Sequence, residues 1–186
     1  MRAPRYRTVL EPLEREILGN ITAAVSEAII ARAQSAPRDE LSELTGIPSA
    51  HKSAPANPAL ARLLPDFERA GDEEYEGDNS LLRSLHENDI CRAKLENLQV
   101  VAEKVGPDGG VEINLTEEEA HSFLAGLNDL RLYFSADDSG GEDARAERES
   151  LVEWLGFNQD SLLTADGRGR VQGANRAARE LLGADE

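Results

Sequence analysis

The chain has 186 residues, and its 20 Lys and Arg against 36 Asp and Glu leave a formal net charge of −16. Phosphate affinity rests on basic surface and counterion release, so this balance argues against a general nucleic-acid binder. The length suits one domain, with or without a tail. The 40% hydrophobic and 30% charged content predicts a fold with a real core and highly charged faces.

Helical periodicity dominates from the start. Between Glu11 and Ala33 the residues Leu13, Ile17, Ile21, Val25 and Ile29 recur every four positions, and Leu10, Leu18, Ala24, Ala28 and Ile30 widen the stripe. This predicts a long core-facing helix. Pro12 fits its first turn, and Gly19 is a weak point of about 1 kcal/mol relative to Ala. A Pro-containing connection follows from Ser35 to Asn57, with room for a short helix from Arg38 to Thr45 ended by Gly46. Asn57-Pro58 reads as an N-cap followed by Pro at the first helical position, opening a short helix through Leu60, Leu63 and Leu64 that stops at Pro65.

Residues Asp72 to Asp78 hold five acids and no base, with Gly71 and Gly77 as glycine boundaries, and are expected to form a solvated loop. Asp78 or Ser80 then caps a helix carrying Leu81, Leu82, Leu85, Ile90, Cys91, Leu95, Leu98, Val101 and Val105, which the run Gly106-Pro107-Asp108-Gly109-Gly110 breaks. Val111 to Leu115 alternates apolar and polar residues. One strand cannot make a sheet alone, so an extended lead-in is expected there. Thr116-Glu117-Glu118-Glu119 is a capping box opening a helix with Ala120, Phe123, Leu124, Leu127, Leu130, Leu132 and Phe134.

A last strong helix is expected from about Glu142 to Thr164, with Leu151, Val152, Leu155, Leu162 and Leu163 inward and Trp154 beside them. Together these elements predict an all-α fold: a compact bundle of about four main helices plus short ones over residues 1–165, with a flexible tail over residues 166–186.

Few residues suggest catalysis. Glu118 and His121 match the Glu-x-x-His spacing of helical di-iron sites, but His86 has Arg83 three residues before it, so the second such motif is missing. Exposed polar residues in a helix's first turns explain the pair more simply. No phosphate-cradling or nucleophile-elbow motif occurs. The expectation is therefore no enzyme, no cofactor and no metal.

The lone Cys91 forbids an internal disulfide and suits a reducing, cytoplasmic setting. It shares a helix face with Leu95 and Leu98, which makes it a small core residue. The other reading is a redox thiol with Arg92 and Lys94 nearby to stabilise a thiolate. No apolar stretch is long enough to span a bilayer, and acids follow the basic start too soon for a secretory signal. The cluster Arg2, Arg5, Arg7 is the one place suited to weak phosphate contact.

Four phrases carry a resemblance. They are Asn57-Pro58-Ala59-Leu60-Ala61-Arg62-Leu63-Leu64-Pro65, the stretch Glu87 to Leu98, Leu127-Asn128-Asp129-Leu130-Arg131-Leu132, and Glu153-Trp154-Leu155-Gly156-Phe157-Asn158-Gln159. In that order, over about Arg5 to Leu163, the chain resembles the actinobacterial AosR-like family, otherwise catalogued as a domain of unknown function. The resemblance implies a helical, non-enzymatic cytoplasmic protein. The family's namesake is regarded as a redox-responsive transcriptional regulator working with an extracytoplasmic-function sigma factor. Its switch is attributed to two closely spaced cysteines, and with Cys91 alone this chain cannot repeat it. Asn128, Asp129, Arg131 and Trp154 are expected to act structurally, since polar residues among leucines usually tie a helix to its neighbours.

The expected function is modulation of stress-responsive transcription through a protein partner, such as a sigma factor or RNA polymerase, whose basic surface suits the acidic faces here. Direct DNA binding is expected to be weak or absent, and self-association stays open. The alternative is a scaffold or adaptor linked to Clp proteolysis with no role in transcription.

Overall fold

The computed structural model describes residues 6–37, 40–46, 49–68, 75–106 and 112–164. In chain order these form β1 (Tyr6–Val9), α1 (Pro12–Gln34), α2 (Glu40–Thr45), α3 (Pro58–Leu63), α4 (Tyr75–Val105), β2 (Glu112–Leu115), α5 (Glu117–Ala136) and α6 (Glu142–Leu163). Among the described residues, four long helices and two short ones carry the fold, which is all-α apart from one small sheet. The expected tail, residues 166–186, lies outside the described residues.

Local chemistry sets the helix starts. Asn57 Oδ1 accepts the Leu60 N–H at 3.0 Å ahead of Pro58, and Thr116 and Glu119 close a reciprocal capping box. Glu11 and Glu14 build a second capping box at α1, with Pro12 in the first turn. At α2, Gly46 adopts a φ of +69°, the left-handed conformation that favours glycine after a helix.

Helix α5 is central. It packs against α3, α4 and α6, and α1 closes over α4. The buried core joins Leu18, Val25 and Ile29 of α1 to Leu98 and Val101 of α4, Leu127 and Leu130 of α5, and Trp154 and Leu155 of α6.

Four expectations are corrected. Residues Glu112–Leu115 are a strand, because a partner exists at the other end of the domain. Strand β1 pairs antiparallel with β2 in the register Tyr6↔Leu115 and Thr8↔Ile113. Ile113 and Leu115 are buried on the inner face, while Arg7 pairs with Glu112 outside at 2.6 Å. Arg7 of the basic cluster is thus engaged; Arg2 and Arg5 lie outside the described residues.

Helix α4 begins at Tyr75, inside the stretch expected to be a loop, and runs through Gly77. Asp78 falls in its opening turns, where acids face the positive end of the helix dipole, so the acidity there also suits a helix start.

Residues spaced every four positions advance about 40° per step around a helix, so the stripe Leu13, Ile17, Ile21, Val25, Ile29 winds away from the core. Leu13 is exposed, and the buried residues are Glu14, Leu18, Thr22, Val25 and Ile29. Finally, Leu81, Leu85 and Leu163 face solvent rather than the core. In the first half of α4 the inward positions belong to Arg83 and Glu87 instead.

Candidate functional site

Arg83 and Glu87 sit one turn apart on the inner face of α4, both almost fully buried. Charges taken out of water are tolerated only with good geometry and added hydrogen bonds. Glu87 receives Arg83 Nη1 at 2.7 Å and Arg32 Nε at 2.8 Å, so one carboxylate is shared by two guanidinium groups. Arg83 also donates to the Leu64 carbonyl at 3.1 Å, the Pro65 carbonyl at 3.2 Å and Asp66 Oδ1 at 2.7 Å. Arg32 reaches the Ser53 carbonyl, and the Ala50 N–H donates to the Ser84 carbonyl at 3.2 Å. His51 Nε2 lies 2.9 Å from the Arg32 carbonyl oxygen. Residues 49–67, including α3, are therefore a strap fastened to α1 and α4 by a buried charged clasp.

Cys91 stands one turn beyond Glu87 and is 2% exposed. Desolvation raises the thiol pKa, the nearby Glu87 carboxylate raises it further, and Arg32 and Lys94 pull it partly back, leaving it at about 11. The buried thiol is thus protonated at neutral pH. Of the two bases expected beside it, Lys94 is bound to Asp129 Oδ1 at 2.7 Å, while Arg92 faces solvent and pairs with Asp89 at 3.1 Å.

The remaining predicted residues are all in structural contacts. Asp129 is buried and joins α5 to α4 through Lys94. Asn128 Oδ1 lies 3.5 Å from Gln159 Nε2 on α6, and the half-buried Arg131 lies against Gly156. Trp154 is fully buried, and its indole Nε1 donates to Glu14 Oε1 at 3.0 Å, with Glu14 itself 0% exposed. The family phrases thus mark joints: α5 to α4, α5 to α6 and α6 to the start of α1.

Glu118 and His121 are both exposed, and among the described residues no group of three His, Cys, Asp or Glu is placed to hold a metal ion. Sequence reading missed Arg32, Arg83, Glu87 and Glu14. The available signal was an Arg and a Glu four apart within a leucine-rich stretch, a pattern that solvent-exposed helix pairs share.

This is a helical module whose single thiol is sealed beside a charged clasp, with Asp129, Asn128, Arg131 and Trp154 at joints between helices. The chain belongs to the family described as a domain of unknown function (DUF2017), whose model matches residues 1–165. It is 41% identical over 138 residues to "Oxidative stress regulator AosR" of Mycobacterium bovis and to the protein of the same name from Mycobacterium tuberculosis. Each match covers 69% of this chain and 63% of the relative, so the chain spans less than two thirds of those relatives' length. No solved structure matches the chain. None of the described helices is long and apolar enough to cross a membrane.

Proposed function

We propose that the chain is a non-enzymatic cytoplasmic regulator of the oxidative-stress response that acts by holding a protein partner, such as a sigma factor or RNA polymerase. The observation that carries this reading is the 41% identity to proteins named oxidative stress regulator. Charge supports the indirect route: a net −16 repels DNA phosphates and attracts a basic protein surface. Arg7, the described member of the N-terminal basic cluster, is occupied by Glu112.

Oxidant sensing through Cys91 requires the thiol to become both accessible and deprotonated, since the thiolate is the reactive form. A change that loosens the strap or the α4 packing does the first. Release from desolvation lowers the pKa from about 11 towards 9.0 and so raises the thiolate fraction.

The test is a pull-down of tagged protein from native cells with and without peroxide, read by mass spectrometry. Recovery of a sigma factor or RNA polymerase is the expected result. Recovery of Clp components alone, or tight promoter-DNA binding by the purified protein at physiological salt, would overturn the reading.

A further inference from the structure

The corner where α5 runs into α6 holds an open groove of about 880 Å³. Its floor is apolar, with the half-buried side chains of Phe134 and Val152 open to it from the end of α5 and the first half of α6. Five carboxylates and two arginines line it. Both arginines are committed within the groove wall: Arg145 pairs with Glu149 at 3.0 Å, and Arg148 donates to the Ser139 carbonyl and faces Asp137 at 3.9 Å. Asp138, Glu142 and Glu153 are exposed and make no ion pair among the described residues. The groove therefore offers an apolar floor with surplus negative charge on its rim.

We propose that this groove seats the chain's own C-terminal segment, residues 167–179. In a chain of net charge −16, that segment carries Arg168, Arg170, Arg176 and Arg179 and no acid, with Val171 among them. The arginines complement Asp138, Glu142 and Glu153, and Val171 suits the Phe134 and Val152 floor. The segment lies beyond the family match, which ends at residue 165.

Reach is sufficient. Helix α6 ends at Leu163, so Glu153 and Glu142 lie about 15 and 32 Å back along it at 1.5 Å per residue. An extended chain covers about 3.3 Å per residue, which carries Arg168 to the nearer acid and Arg176 past the farther one. A second copy is a poorer occupant, because two bodies of charge −16 repel, whereas the covalent link holds the segment near the groove at high effective concentration. Any basic partner peptide that uses this groove must displace the segment.

The test uses the full chain with Ala184→Cys in a Cys91→Ser background and a nitroxide attached at position 184. Amide signals from residues 134–153 are expected to lose intensity through paramagnetic broadening and to recover it when Arg168, Arg170, Arg176 and Arg179 are all changed to Glu. Full intensity in the starting protein, or a loss centred on Leu81 and Leu85 instead, would overturn the proposal. So would a loss that persists when isotope-labelled, unspin-labelled protein is mixed with unlabelled spin-bearing protein, because the occupant would then belong to another copy.

Discussion

Burial sets the chemistry of Cys91. Its pKa stands at about 11 in the folded chain against 9.0 when unperturbed, with desolvation the largest cause and Glu87 the next. The folded state therefore holds the proton more tightly than the unfolded state. This contribution to stability is complete below pH 9 and is lost as pH rises from 9 through 11. The expected outcome is a fall in denaturant midpoint across that window that is smaller in Cys91→Ser. Tyr133 is raised in the same direction, by burial first and then by Asp137, so the comparison between the two proteins isolates the cysteine. Equal slopes in both would show that the thiol carries no such linkage. Sequence placed Cys91 on the core face correctly, because the i, i+4, i+7 spacing to Leu95 and Leu98 is a geometric fact of any helix. It could not place Glu87 and Arg83 inward, because a buried ion pair and a solvated one share the same spacing.

Two glycines within helices behave in opposite ways. At Gly126 of α5 an added Cβ would stand 2.7 Å from Val101 Cγ2 and 3.2 Å from the Asn97 carbonyl oxygen, so the glycine is what lets α5 approach α4. At Gly19 of α1 the nearest atom to an added Cβ is Val105 Cγ2 at 3.9 Å, an ordinary contact. Gly126→Ala is accordingly expected to cost about 1–3 kcal/mol through overpacking, while Gly19→Ala should stabilise by about 0.5–1 kcal/mol through helix propensity. Chemical denaturation of both variants checks the pair, and a stabilising Gly126→Ala would refute the close approach. Several helix starts were legible because caps are local signals: Asn57-Pro58, the Thr116 box and the Glu142 start all stand where the sequence put them. What sequence could not supply was pairing between distant segments. Strand β2 alternates visibly, but its partner Tyr6–Val9 is only four residues long and lies about a hundred positions away, so no local pattern marked its role. The clasp was hidden for the same reason, since Arg32, Asp66 and the Arg83–Glu87 turn converge only in three dimensions. The Asn128, Asp129, Arg131 and Trp154 positions were found by phrase, and their geometry then supplied the physical reason for each.

The whole molecule carries its charge unevenly between interior and surface. Inside, Glu87 is matched by two arginines and Asp129 by Lys94. Outside, pairs such as Arg7–Glu112 and Arg145–Glu149 are exposed on both sides, and such pairs contribute little each. The excess of 16 acids is therefore left mainly to repel across the surface. Repulsion of this kind favours the expanded chain and is screened once the Debye length shrinks from about 30 Å at 0.01 M salt to about 8 Å at 0.15 M. Added sodium chloride over this range should raise the melting temperature at pH 7. Each kcal/mol of relief is worth about 2–4 °C for a chain of this size. The buried clasp is shielded from mobile ions and should neither gain nor lose. Exposed pairs alone would give the opposite trend, because salt weakens attraction as well as repulsion. A melting temperature that falls with salt would mean that local attraction outweighs the net charge. A rise would mean that the surface is held under repulsive load, a load that a basic partner would relieve on binding.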